Sequence, residues 1–596
     1  YQPVTHSIGA FTSRSGTWAE FTSMVNACNA LDVDVYVDAV INHMADIQVG
    51  SPPAGTSGTQ YQSTPAASRF YGSQYQADDF HSDCTIGNYG DRAQVQRCKL
   101  SGLPDLDTGK TDVQAEIRGY LQALINAGVK GFRIDGAKHM AAHDIAAILN
   151  GLTGSYYLFQ EAIDIDTSER VRDWEYTPSG DVTEFEYSVN AMGNKFNNCN
   201  SGVLSDLQSF TTWTGMMPGR FAQVFVDNHD NQRGHGPGGA CIVDHRDGQV
   251  HRLANIFTLA YPYGHPSVMS SYYWSTNPAS KDGDSLGPPT VNGGPGSSGV
   301  TLAVYGNSQN AGDYPANCSG TYPAAVTNGD LGKWVCEHRN TAIANLVKFR
   351  AVTNGQPVTQ WQAIGGAPSN HIAFGRGDKG FVAINRTGSA ATTTYQTDMA
   401  PGSYCDITQY DYIPGTGQCI DPVTTVRAPA SAWIVVNASG QIVNQTLGAM
   451  DAFAIYQGGS PLAVTLASFE AEARLGYVQV SWETVSELGN RGFNLYRGMS
   501  PAEPDRQLNA TLIPSQGPGS PSGFLYTWED AAELAAGETY YYWLEDLDVY
   551  GATTLHGPVS VLYQAPTAVT LSSVQAGRPA APAWPAWLAL LLAGGL

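Results

Sequence analysis

Two kinds of hydrophobic periodicity divide the chain. Over about the first 350 residues, short β-branched runs alternate with helical patterns. Val33 to Ile41 reads as a buried parallel strand. A loop-like stretch rich in Gly, Ser, Gln and Tyr follows from Ala45 to about Gly109. A helix is predicted from Thr111 to Ala127, with Val113, Ile117, Leu121 and Leu124 as its apolar stripe. Thr111 and Gln114 would form its capping box, and Gly128 its C-terminal stop. Further strands are predicted at Gly131–Asp135, Tyr156–Glu161, Val182–Glu186 and Gln223–Asp227. Strands separated by helices imply a parallel α/β fold. Polar residues gather at the C-terminal ends of four of these strands: Asp38, Asn42 and His43; Arg133 and Asp135; Glu161; Asp227, His229 and Asp230. In a (β/α)8 barrel that rim is where active sites form.

From about Thr353 to Tyr456 the pattern changes to short alternating strands with Gly/Asn turns, implying a separate all-β domain. A third unit runs from about Pro461 to Gln564. Its alternating runs Val478–Trp482, Phe493–Tyr496 and Tyr540–Leu544 resemble those of a fibronectin type III module. Its exposed aromatics would serve either carbohydrate binding or, the favoured reading, a spacer. The last residues, Trp584 to Leu596, are apolar but too short to span a bilayer, since a helix needs about 20. They follow a Pro/Ala-rich linker and are expected to be the front part of a membrane or cell-surface anchor; a merely apolar tail is the alternative.

Composition narrows the function. Thirty-one Lys and Arg against 53 Asp and Glu leave a net charge of −22, with a sequence pI near 4.8. Such a balance argues against binding phosphate backbones, which are held by clustered Lys and Arg. With 14% charged residues, 65 Gly and 33 Pro, the chain is loop-rich and globular. Nine cysteines include three pairs close in sequence: Cys84 with Cys98, Cys318 with Cys336, and Cys405 with Cys419. Such loops suit an oxidising compartment, so a secreted protein is expected. Cys199 and Cys241 could form a fourth pair. Cys28 is then left for an intermolecular bond, a free thiol, or a partner in a missing piece of chain.

Three acids stand out at strand ends: Asp135, Glu161 and Asp230. Cleaving a glycosidic bond needs one carboxyl to protonate the leaving oxygen and another to attack or stabilise the anomeric carbon. Arg133, two residues before Asp135, projects from the same strand face and would keep Asp135 ionised. Glu161 follows the apolar run Tyr156-Tyr-Leu-Phe159, and an apolar setting raises a carboxyl pKa toward general-acid use. His43 and His229 add donors for sugar hydroxyls. On spacing alone, buried ion pairs pinning loops would fit equally well.

The strings themselves decide between these readings. Asp38-Ala-Val-Ile-Asn-His43, Gly131-Phe-Arg-Ile-Asp-Gly-Ala-Lys-His139, Phe159-Gln-Glu-Ala162 and Phe225-Val-Asp-Asn-His-Asp230 occur in order. They resemble the four signature segments of the α-amylase family of glycoside hydrolases. Asn231–Gly239 and the segments Tyr261–Gly264 and Val268–Ser271 are similar to the animal-type members in particular. The resemblance spans about residues 1–457 and implies Asp135 as nucleophile, Glu161 as general acid and then base, and Asp230 as the carboxylate holding the sugar 2- and 3-hydroxyls. It further implies substrate contacts from Tyr1, Gln2, His43, Arg133, Lys138, His139, His229 and His235. A structural Ca²⁺ is implied on the Asn42 side chain, the Asp105 carboxylate and the carbonyls of His139 and about Gln96, an all-oxygen set that suits calcium. A chloride site between two cations and an asparagine is matched by Arg133 and Asn228 only. The second cation position reads Ser267, so chloride dependence does not carry over.

In the family's pattern, Tyr1-Gln-Pro-Val4 falls inside the barrel after its second strand, and the partner of Cys28 would precede it. The sequence therefore implies a (β/α)8 barrel with its first strands missing, and a fragment not competent as written. The expected architecture is a catalytic barrel at 1–352 with an inserted Ca-binding loop domain at 44–109, an all-β domain at 353–457, a fibronectin III-like sandwich at 458–565, and a linker with partial anchor at 566–596. The expected function is retaining endo-hydrolysis of α-1,4-glucosidic bonds in starch, glycogen and malto-oligosaccharides by an α-amylase that is either freely secreted or held at the cell surface by its C-terminus. A transglycosylase of the same family, or a non-catalytic glucan-binding surface protein, are the alternatives.

Overall fold

The computed structural model describes residues 12–13, 16–46, 60–165, 168–197, 199–273, 334–413, 418–422, 426, 428–457, 466–485, 487, 490–517, 523–548 and 553–564. Tyr1, Gln2, Cys318 and the expected anchor at 566–596 lie outside these residues. Among the described residues no helix is long and apolar enough to cross a membrane.

Six parallel strands build the main sheet: β1 (Tyr36–Ala39), β2 (Gly131–Ile134), β3 (Tyr157–Gln160), β4 (Asp181–Thr183), β5 (Ala222–Phe225) and β6 (His265–Ser267). They lie side by side in chain order. Helices α1 (Trp18–Asn29), α2 (Thr111–Asn126), α3 (Ala142–Leu149), α4 (Gln249–Ala260) and α5 (Thr341–Val352) accompany them. Phe132 and Ile134 on β2 are fully buried and share one core cluster with the α2 stripe Val113, Ile117, Leu121 and Leu124. The alternation of a strand then turns Arg133 and Asp135 to the opposite face. Gly131 is required by close approach: a Cβ there would lie 2.6 Å from the Tyr36 ring and 2.8 Å from the Tyr157 carbonyl.

Three details differ from the sequence reading. The strand predicted over Val33–Ile41 is only four residues long, and at the sheet edge Tyr36 is 40% exposed. The capping box of α2 does not form: Lys110 is the N-cap, and Gln114 donates instead to the Thr108 carbonyl at 2.8 Å. The helix does stop as expected, with Gly128 at φ +98°. The predicted strand at Val182–Glu186 ends at Thr183, after which the backbone turns toward a seven-residue π-helix, Tyr187–Gly193.

The segment after β1 carries a small sheet of Tyr61–Gln62, Phe70–Tyr71 and Tyr75–Gln76. It is tied back by the Cys84–Cys98 disulfide and by the Leu106 N–H donating to the Asn42 carbonyl at 2.9 Å. Disulfides also join Cys199 to Cys241 and Cys405 to Cys419, while Cys28 is free. Beyond α5, Val358–Ala363, His371–Arg376, Gly380–Asn385 and Asp451–Tyr456 form an antiparallel sheet. Its residues Ile372, Phe374, Val382 and Ile384 join the core that includes α4 and α5. Residues 466–562 hold two further antiparallel sheets enclosing Trp482, Phe493 and Tyr526, with Trp482 stacked on Tyr526 at 5.1 Å.

Candidate active site

Register places the site. Asp38 on β1 pairs with Arg133 on β2, and Arg133 with Phe159 on β3, so side chains from neighbouring strands converge at one sheet end. Arg133 is the hub. Its Nη1 lies 2.7 Å from Asp38 Oδ1 and 2.8 Å from Asp135 Oδ1, and its Nη2 lies 2.7 Å from Glu161 Oε1. Burial opposes its charge, but the fields of Glu161, Asp38 and Asp135 outweigh that and hold it protonated.

Glu161 follows β3 directly. The Gly136 N–H donates to its Oε2 at 3.0 Å, and its own N–H donates to the Ile134 carbonyl at 2.9 Å. Gly136 reaches that carboxylate from a left-handed turn at φ +54°. Burial pushes the Glu161 carboxyl up; Arg133 pulls it down, and the nearby Asp135 and Asp230 push it up again. A carboxyl whose pKa is raised, beside a second, ion-paired carboxyl, is the arrangement for acid-assisted displacement. Asp230 follows β5 in a turn capped by the Asn228 Oδ1, which accepts from the N–H groups of Asp230 (3.1 Å) and Asn231 (2.9 Å). His229 Nε2 stands 3.6 Å from Asp230 Oδ1.

The remaining predicted substrate residues divide. His43 is buried near Asp135; burial lowers its pKa, and the Asp135 charge opposes that. The Lys138 N–H donates to the Glu161 carbonyl at 3.2 Å, while its ammonium contacts Glu169 and the Ile163 carbonyl. His139 turns Nδ1 to the Val95 carbonyl at 2.9 Å, and burial lowers its pKa to about 4. His235 is exposed on the glycine-rich loop, its N–H donating to the Asp230 carbonyl at 3.1 Å. A cavity of about 800 Å³ beside the sheet is bounded at one end by Asp38, Arg133 and His229.

Of the expected metal ligands, the side chains of Asn42 and Asp105 lie together. Asn42 and Asp105 are buried on adjacent segments, and each keeps an Oδ1 that no hydrogen bond satisfies. Burial pushes the Asp105 carboxyl up to about 6, against the pull of His81 at 2.7 Å. Gln96 lies beside the His139–Met140 segment, donating from Nε2 to the Met140 carbonyl at 3.3 Å. Orphaned buried oxygens facing one region are what a hard cation satisfies. The chloride residues behave differently: Arg133 is occupied by three carboxylates, and Ser267 accepts a hydrogen bond from Gln223.

Sequence reasoning missed three features. Asp38 is a direct partner of Arg133, a role its register opposite Arg133 could have signalled. Gly136 contributes a backbone N–H, which no side-chain motif announces. Asp173, Glu184 and Glu186 form a separate buried carboxyl cluster, with ligand oxygens within 4.8 Å of one another. The pair Glu184/Glu186 was visible as an alternation, but Asp173 joins it from a distant loop.

Comparison with known proteins agrees with this geometry. Residues 7–151 match the family model of the α-amylase catalytic domain, and residues 361–455 that of the α-amylase C-terminal all-β domain. Human α-amylase 1B is 40% identical over 433 residues, covering 70% of this chain and 78% of the relative. Rat pancreatic α-amylase is 38% identical over 456 residues, covering 74% and 83%. The crystal structure of α-amylase I from Eisenia fetida superposes with a TM-score of 0.63 at 34% identity, covering 76% of this chain and 87% of that one. A mutant of the same enzyme, solved with maltohexaose, superposes with a TM-score of 0.61. With the strand-end acids, the parallel sheet and these relatives in agreement, the chain belongs to the α-amylase family and is an enzyme that hydrolyses α-1,4-glucosidic bonds.

Proposed function

We propose that hydrolysis proceeds with retention, Asp135 acting as nucleophile and Glu161 as acid and then base. The observation that carries this is the shared Arg133, which fixes both carboxylates against one guanidinium. In the first step the Glu161 proton passes to the glycosidic oxygen as an Asp135 oxygen bonds to the anomeric carbon, and the bond to the leaving sugar breaks. In the second step Glu161, now ionised, takes a proton from water, whose oxygen displaces Asp135. Asp230 would hold two ring hydroxyls of the reacting sugar, with His43 and His229 as further hydrogen-bonding groups. Lys138 and His139 would border the leaving-group side, His235 would act from the glycine-rich loop over the substrate, and Tyr1, with Gln2, would stack on the sugar being cleaved. Proton NMR of the first-formed product tests this directly: the α-anomer is expected, and an initial β-anomer would overturn it.

Calcium is proposed for the site of Asn42, Asp105 and the carbonyls of Gln96 and His139. The two orphaned oxygens and the all-oxygen donor set support it. When bound, the ion would supply structural cross-linking between the segment after β1 and the barrel; the chemistry at Glu161 and Asp135 needs no step through it. Chloride dependence is not expected, because the second cation is replaced by Ser267. Starch, glycogen and malto-oligosaccharides are the proposed substrates. Disulfides at 84–98, 199–241 and 405–419 support an extracellular enzyme. The two-sheet unit over residues 466–562 is proposed to be a fibronectin III-like spacer.

A further inference from the structure

The loop that follows Glu161 carries an exposed tryptophan that the reaction does not use. Trp174 is 64% exposed on a single turn of 3-10 helix, Asp173–Glu175. An indole pairs a large apolar face with one polar N–H, the combination enriched where a surface makes contacts. This turn is held from every side. The Trp174 N–H donates to Asp173 Oδ1 at 2.6 Å, the Asp173 N–H to Asp164 Oδ2 at 3.2 Å, and the Arg172 N–H to Glu175 Oε1 at 2.8 Å. Tyr176, the next residue, is buried and donates from its hydroxyl to the Met140 carbonyl at 2.7 Å. The side chain is thus presented by a backbone with little freedom left to lose, the condition under which an aromatic contact binds most effectively.

Its neighbours connect it to the cleft. Arg92 forks onto both oxygens of Glu175 at 2.7 Å each, and donates to the Arg170 carbonyl at 2.7 Å. The Arg170 N–H donates in turn to the Tyr89 carbonyl at 3.4 Å. Tyr89 is 42% exposed, with the Lys138 ammonium 5.0 Å from its ring centroid. Pairwise contacts therefore lead from buried Lys138, through the Tyr89 segment, to the Arg92–Glu175 fork, whose Glu175 is the chain neighbour of Trp174. A pyranose has apolar C–H faces that stack on an indole and hydroxyls that a guanidinium–carboxylate fork can bond. A glucan chain also extends beyond the few sugars that surround the cleaved bond.

We propose that Trp174, with the Arg92–Glu175 fork, is an additional binding platform for the α-glucan chain outside the cleft, on the side of Lys138. This rests on the placement of Lys138 on the leaving-group side proposed above. The platform favours long substrates, since only a chain that leaves the cleft can reach it.

The test compares Trp174→Ala and Trp174→Phe in the full chain, each also combined with Glu161→Gln to slow turnover. Binding of maltotriose and of amylose is followed by tryptophan fluorescence and isothermal titration. Trp174→Ala is expected to weaken amylose binding about three- to ten-fold, the scale of one lost aromatic contact, with a smaller loss for maltotriose. Trp174→Phe should recover most of it, and KM for amylose should rise more than kcat falls. Unchanged amylose affinity in Trp174→Ala would overturn the platform. An equal loss for both ligands that phenylalanine does not recover would mean a merely structural residue, and would overturn it too. Failure of the underlying site is read separately: Glu161→Gln alone would then retain full starch turnover.

Discussion

Arg133 Nη2 lies 2.7 Å from Glu161 Oε1, so the proposed general acid shares its guanidinium with Asp135, the proposed nucleophile. One cation thus favours the ionised form of both carboxylates, and burial opposes it at Glu161. Asp135 sits in an ion pair, whereas burial lifts Glu161 in spite of Arg133. Glu161→Gln keeps the shape and loses the proton. Turnover of soluble starch should fall by at least ~10²-fold, the usual scale for a lost general acid. Circular dichroism and thermal unfolding should stay close to those of the parent.

The same relationship sets a pH dependence. The first step needs Glu161 protonated, so kcat/KM should decline as pH rises through its elevated pKa. Neutralising the competing pull with Arg133→Gln should move that alkaline limb upward, because Arg133 favours the ionised form. A pH–rate profile measured on a soluble malto-oligosaccharide reads the direction.

How much of this was legible beforehand follows from range along the chain. The four strand-end strings lie within short windows, so Asp135, Glu161 and Asp230 could be named from sequence. The α2 stripe was legible for the same reason, since each of its residues is one turn from the next. The capping box failed because Thr108 and Asp107 draw the preceding loop into turns, leaving Lys110 as the cap. The Asp173–Glu184–Glu186 cluster was illegible because a loop and a strand end meet only in the fold. Backbone donors such as Gly136 leave no side-chain signature at all.

That buried cluster predicts alkaline sensitivity. Burial, and the neighbouring Glu184, push Glu186 up to about 10; burial, with Glu184 and Asp164, pushes Asp173 up to about 8. The folded state therefore holds protons that the unfolded state releases from about pH 4.5 upward. Stability contributed by this cluster is full below the unfolded pKa and is lost as pH rises through the folded values. Glu186→Gln should flatten the fall of the unfolding midpoint between pH 5 and about 10. Midpoints measured by differential scanning fluorimetry across that range check the slope.

Chelation should act on stability as well as rate. At free calcium 100 times Kd, a site confined to the folded state adds about 2.7 kcal/mol. EDTA should lower the unfolding midpoint and activity together, and Asp105→Asn should make the protein insensitive to EDTA. Sodium chloride at constant ionic strength should give no saturable activation, as Ser267 stands where a cation would be needed.

The proposed reaction turns on a covalent bond between Asp135 and the anomeric carbon of a glucosyl unit. The most direct measurement is peptide mass spectrometry after reaction with a fluorinated maltosyl fluoride, whose second step is slow. A glycosyl adduct on the peptide that carries Asp135, absent in Asp135→Asn, is the predicted result. An adduct on Glu161 or Asp230 instead, or hydrolysis to an inverted product with no adduct at all, would contradict it.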